Sequence, residues 1–196
     1  MNGRTCAMGL LLLANIGCAV SPDELPFHAR SIERHPDGTI AKALLAQPAI
    51  IGGVPCRGWV RLHPDGSLAS YELAADATVQ GHTLPAATYV WLDEHGGLKT
   101  LWLSQDTVIQ GQTCRGGPFR HATSFHPDGC LFGFFPRDDV VIDGIPCASN
   151  PQVPVYLHTN GKLLRCRIAA DVVVDGRTLR RGVDAEFDER GVLVQR

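Results

Sequence analysis

Apolar and polar residues alternate in short runs along most of the chain, and the runs recur. Val60 and Leu62, Val90 and Leu92, Val155 and Leu157, and then Val183, Ala185 and Phe187 take every second position, with Arg61, Trp91, Asp184 and Glu186 between them. A period of two is the signature of a strand with one buried face. A second set follows each of these runs: Ala69, Tyr71 and Leu73, then Phe132 and Phe134, then Leu164, Cys166 and Ile168. A third kind of run is almost wholly apolar and β-branched, as at Ile50 and Ile51, Val108 and Ile109, Val140 to Ile142, and Val172 to Val174. Such runs, bounded by turn residues, predict short buried strands. No stretch carries a 3.6-residue period over three turns; residues 39–45 come nearest and read more simply as a first strand.

The turns between the runs are as regular as the runs. Units begin at His35, His63, Asp93, His126, His158 and Asp188 with HPDG, HPDG, DEHG, HPDG, HTNG and DERG, so full units are 28, 30, 33, 32 and 30 residues long. A second glycine lies eighteen positions after each full unit's first residue, at Gly53, Gly81, Gly111, Gly144 and Gly176. Asp-Gly and Asn-Gly favour tight hairpins, and proline before Asp37, Asp65 and Asp128 presets the entry. Each unit is therefore expected to hold about three short strands. The chain as a whole is expected to be all-β, an antiparallel meander of about five stacked repeats forming an elongated sheet or solenoid, with closure into a small barrel or propeller as the alternative.

The turn in Ser124-Phe125-His126-Pro127-Asp128-Gly129 resembles the Tyr-x-Asp/Asn-Gly turn of MORN-type repeats. The resemblance runs from about His35 to the end, although the Glu-Gly-x-Trp and Gly-x-Gly elements of that family are missing and the unit is longer. It implies a ladder of antiparallel hairpins with a scaffolding or binding role, and it assigns no residue.

The amino terminus departs from this pattern. Arg4, an apolar run from about Met8 to Ile16 and the small residues Gly17, Cys18 and Ala19 are laid out as an export signal, and the apolar stretch is too short to span a bilayer comfortably. We therefore expect a signal peptide at 1–19, a leader at 20–34 and the repeat domain at 35–196. Gly17-Cys18 resembles a lipobox, with Asn15 where leucine is usual, so Cys18 is a candidate lipid anchor. Cutting after Ala19 by the ordinary signal peptidase is the alternative. The protein is expected in the periplasm, at the outer membrane or secreted, touching a membrane only through Cys18.

The chain has 18 basic and 20 acidic residues; without Arg4 the balance is 17 − 20 = −3, and no basic stripe stands out, which argues against nucleic-acid binding. The four register-matched histidines, His35, His63, His126 and His158, would lie too far apart in a strand ladder to share a metal, and read as turn residues at a solvent edge. Asp76, Asp106, Asp139 and Asp171, each fourteenth in its unit, offer one carboxylate apiece where calcium needs six or more oxygens, and read as caps of a bend. No metal, cofactor or catalytic residue is expected: there is no hydrolase elbow, phosphate loop or HExxH, and Cys56, Cys114, Cys130, Cys147 and Cys166 sit at repeat positions. Cys147 and Cys166 flank the turn at 159–161 and are the expected disulfide, which requires residues 148–151 to fold back.

The longest excursions between units are expected side by side, and offer Arg115, Phe119, Arg120 and His121 from one loop and Asn150 from the other as a binding set. The function expected is an envelope-associated module that binds a protein or another envelope component. The competing class is a secreted, hydrolase-like enzyme on a small propeller or barrel.

Overall fold

The computed structural model describes residues 26–194, which fall into two units, 26–104 and 105–194. The expected export signal with Cys18, and residues 20–25 of the expected leader, lie outside the described residues. Among the described residues no helix is long and apolar enough to cross a membrane.

In unit 26–104 a single 3-10 turn at Ala29–Ser31 precedes nine strands: β1 (Glu33–Arg34), β2 (Ile40–Leu44), β3 (Ala49–Ile51), β4 (Val54–Leu62), β5 (Leu68–Leu73), β6 (Ala77–Val79), β7 (His82–Leu84), β8 (Tyr89–Leu92) and β9 (Leu98–Trp102). The main sheet runs β1-β2-β4-β5-β8-β9, every pair antiparallel. Two arms project from it, β3 on the start of β4 and the separate ribbon β6-β7.

Unit 105–194 has the same construction. Its strands are β10 (Thr107–Ile109), β11 (Gln112–Cys114), β12 (Ala122–Phe125), β13 (Leu131–Phe134), β14 (Val140–Ile142), β15 (Ile145–Cys147), β16 (Val155–Leu157), β17 (Leu163–Arg167), β18 (Val172–Val174), β19 (Arg177–Leu179) and β20 (Asp184–Glu186). Here β12-β13-β16-β17-β20 form the sheet, and β10-β11, β14-β15 and β18-β19 are arms. In neither unit do the first and last sheet strands pair with each other. The all-β antiparallel meander stands, and the barrel or propeller alternative does not.

Three expectations change in detail. A repeat holds four strands, not three: two in the sheet and two in an arm. The opening turn is a three-residue hairpin, in which the Gly129 amide donates to His126 O and the His126 amide to Cys130 O, with Gly129 alone at φ 83°. The second turn is the two-residue kind, with Asp143 at φ 52° and Gly144 at 81°. The extra residue of the opening turn shifts the register by one just beyond it. Leu68, Leu131 and Leu163 therefore face the core, where the alternation had put Ala69, Phe132 and Leu164. The apolar arm runs are not buried throughout. Their last residues, Ile51, Val79, Ile109 and Ile142, are buried, whereas the central Ile50, Val108 and Val141 are exposed, because a two-stranded ribbon still alternates its faces.

The core consists of one sheet face together with those arm ends. In the first unit Val60, Tyr71, Val90 and Leu101 are fully buried, and in the second Phe134, Cys166 and Ile168. Each large side chain so buried contributes about 1.5–3 kcal/mol.

The repeated polar residues join these pieces. Each fourteenth-position aspartate accepts an amide ten residues on: Asp76 from Ala86 at 2.8 Å, Asp106 from Gly116 at 2.9 Å, Asp139 from Ser149 at 2.7 Å and Asp171 from Arg181 at 2.8 Å. The carboxylate thus clamps the base of an entire arm and does not merely cap a bend. In four of the five full units the residue before the second glycine docks the arm tip on the following turn: Gln80 on the Leu98 amide, Gln110 on Leu131, Asp143 on Leu163 and Asp175 on Leu193; in the first unit that residue is Gly52.

The histidines are half-buried and do not stand at a solvent edge. Nε2 of His35, His126 and His158 lies 3.0, 2.9 and 2.9 Å from the Leu62, Leu157 and Phe187 carbonyls, each the residue just before the next unit. These side chains stitch successive hairpins together.

Candidate functional site

The sheet face turned away from the core carries the aromatic residues. In unit 26–104 the cross-strand register aligns Lys42, Arg61, Ser70, Trp91 and Thr100 in one row. A second row joins Glu72, Tyr89 and Trp102, and Trp59 stands opposite Leu44. All three tryptophans of the chain are therefore on this face. Tyr89 and Trp91 have ring centroids 4.5 Å apart, and Trp91 meets Trp102 edge-on at 4.3 Å. Trp59 is 40% exposed, with the Lys42 ammonium 4.4 Å from its ring centre.

A groove of about 460 Å³ lies beside this cluster, lined by Arg61, Ser70, Trp91, Lys99, Thr100 and Trp102 among others. Ser70 is only 1% exposed, and its hydroxyl has no hydrogen-bond partner. The acidic residues of the face are already engaged. Glu33 binds Lys42 at 2.6 Å, which holds its carboxyl below the usual range, and Glu72 binds Arg57 at 2.5 Å. Among the described residues Arg61 and Lys99 have no carboxylate within ion-pairing distance.

The loops expected to bind lie in unit 105–194 and are neighbours. Arg115 Nη2 donates to Ser149 Oγ at 2.6 Å and to the Arg137 carbonyl at 3.1 Å, which ties the two excursions together. Phe119 is 84% exposed, and Arg120 holds a positive φ of 51° at the loop bend. His121 packs on Phe135 at 4.7 Å, and its pKa is lowered by burial and by the nearby Arg115. Asn150 turns inward on its own loop, where its side-chain oxygen accepts the Gln152 amide at 2.8 Å. Phe119 and Arg120 are thus presented outward, whereas Arg115 and Asn150 hold the loops in shape.

Cys56, Cys114, Cys130, Cys147 and Cys166 are all buried. Burial pushes the Cys56 and Cys114 thiols up to about 12, so neither supplies a thiolate at neutral pH. Cys147 lies against Cys166: the Ala148 amide donates to Arg167 O, and contact with the Cys166 thiol is the main cause raising the Cys147 pKa. Among the described residues no three His, Cys, Asp or Glu side chains converge as metal ligands would.

The aromatic face was foreshadowed in the sequence by parity. Trp59 and Arg61, Tyr89 and Trp91, and Thr100 and Trp102 sit out of phase with the buried residues, but which of them share a row depends on turns and bulges. No protein-family model matches the chain, and no curated protein matches its sequence.

Proposed function

We propose that this protein is an exported, envelope-associated hairpin-repeat module of MORN-like design that binds a protein or another envelope component and acts as a scaffold, not as an enzyme. The observation that carries the reading is the placement of all three tryptophans, with Tyr89, on a sheet face outside the core. Folding gains little from aromatic residues left there, whereas recognition gains much, since Trp, Tyr and Arg dominate binding hot spots. High-pKa buried thiols also argue against a cysteine nucleophile. The layout of residues 1–19 supports export, with Cys18 as the anchor if the lipobox is used.

Capture from envelope extract tests this. The wild-type protein should retain a partner that the Trp91→Ala variant loses while keeping its melting temperature; equal retention by both would remove the face from consideration. A second surface is favoured by one observation, the outward presentation of Phe119 and Arg120 on loops braced by Arg115. If that surface binds, the Phe119→Ala/Arg120→Ala double variant loses about 2 kcal/mol of affinity with the fold intact. We further propose that Cys147 and Cys166 form a disulfide in an oxidising compartment, which non-reducing peptide mapping would detect.

A further inference from the structure

The groove beside Trp91 and Trp102 combines three chemical demands that the protein leaves unmet. Ser70 needs a hydrogen-bond partner, since a hydroxyl with its oxygen out of reach of solvent and unpaired is costly. Arg61 and Lys99 line the same groove as cations with no ion pair of their own among the described residues: Arg61 acts on Glu33 only through space, and Glu33 and Glu72 are hydrogen-bonded by Lys42 and Arg57. Trp91 and Trp102 add indole surface beside them.

The backbone narrows the ligand further. β4, β5 and β8 are each paired on both sides, so a peptide cannot add as an extra strand where Arg61, Ser70 and Trp91 stand. Recognition here must come from side chains alone. The ligand must bring a flat apolar face for the indoles, hydroxyl groups for Ser70 and Thr100, and a negative charge for Arg61 and Lys99. A saccharide ring has an apolar C–H face and a rim of hydroxyls, and a uronic acid adds the carboxylate, which Arg61 can grip with two parallel N–H bonds.

Building on the binding reading above, we propose that the groove lined by Arg61, Ser70, Trp91 and Trp102 is a subsite for an acidic, uronic-acid-type saccharide. The Arg61 guanidinium holds the sugar carboxylate, Ser70 donates to or accepts from a ring hydroxyl, and the two indoles cover the C–H face.

The test uses the whole exported protein and three probes: cellotetraose, the same tetrasaccharide oxidised to carboxylates at every C6, and tetraglutamate. Calorimetry and intrinsic tryptophan emission follow binding. The oxidised sugar should shift the emission and bind about tenfold or more tightly than either of the others, and Arg61→Gln should erase its advantage over cellotetraose. Ser70→Ala should weaken it several-fold without lowering the melting temperature of the unliganded protein, since the hydroxyl has no partner to lose. A purely structural serine would give the opposite pattern. The proposal is overturned if tetraglutamate or cellotetraose binds as well as the oxidised sugar, if Arg61→Gln has no effect, or if neither sugar binds. In the last case, a partner still captured through Trp91 would keep the binding module and reject only the saccharide, whereas loss of both would reject the two readings together.

Discussion

Two glycines of the same unit should respond to alanine for different reasons, and by different amounts. Gly144 holds φ 81° in a two-residue turn, and a Cβ built on it would meet nothing within 4 Å. Gly144→Ala therefore carries only the backbone cost of a left-handed residue, about 1–2 kcal/mol, and Gly144→Asn less. Gly116 is not left-handed, but a Cβ there would overlap the backbone carbonyl of Gln105. Backbone must move to admit it, and the moving segment holds the Gly116 amide that Asp106 accepts at 2.9 Å to close the β10-β11 arm. Overpacking costs about 1–3 kcal/mol and the loss of a charge-assisted bond, discounted for its exposure, about 1 more, so Gly116→Ala should lose about 3 kcal/mol. At about 2–4 °C per kcal/mol, melting curves should fall by about 5 °C for Gly144→Ala and about 10 °C for Gly116→Ala. In a repeat protein the loss should be local, so hydrogen exchange should rise mainly in residues 105–116. Equal shifts for the two variants, or a Gly116→Ala protein as stable as wild type, would refute the assignment of one glycine to torsion and the other to space.

Further outcomes follow from the polar joints and the thiols. Asp139→Ala should destabilise by about 1 kcal/mol and speed exchange in β14-β15, and Asp171→Ala should do the same in β18-β19; an effect at one site only would mean the clamp is not a repeat feature. Melting temperature should fall with acid in two steps. Burial lowers the pKa of both His82 and His121, so the fold favours neutral imidazoles, and that stability is present above about pH 6.5 and lost as pH drops below it; His82→Gln should shrink this step, and adding His121→Gln should abolish it. Asp184 is lowered mainly by its hydrogen bond to Arg167, and Asp93 mainly by the Gly97 amide. Their contribution persists above about pH 4 and is lost as pH falls through their folded values, so a protein equally stable at pH 5 and pH 2 would contradict it. Iodoacetamide at pH 8 should leave Cys56 and Cys114 unmodified until the chain unfolds, and rapid native labelling of either would show the core to be wrongly placed.

Most of the fold was legible because it is written several times over. A period of two, Asp-Gly turns at matched offsets and β-branched runs each appear in unit after unit, and agreement among local signals specifies a structure. What could not be read depends on geometry that spacing does not encode. The one-residue shift after His126-Pro127-Asp128-Gly129 decides that Leu131 and not Phe132 is buried. The reach of Asp139 to Ser149, and of His126 to Leu157, follows from arms folding back, and neither partner is close in sequence. The loops around Phe119 were found from their length, and their contact through Arg115 and Ser149 fits that expectation. The aromatic face was half visible: alternation set Trp91 apart from Val90 and Leu92, but its neighbours Ser70, Arg61 and Trp102 come from three other strands.

Oxidative footprinting of the protein, alone and in envelope extract, is the most direct test of the aromatic face as a recognition surface, because hydroxyl radicals report each aromatic side chain separately. Trp59, Tyr89, Trp91 and Trp102 should be oxidised in the free native protein and become protected when a partner is present, while the exposed arm residues Val108 and Val141 should not change. Tryptophans inert before any partner is added, or protection confined to the arms, would contradict that role for the face.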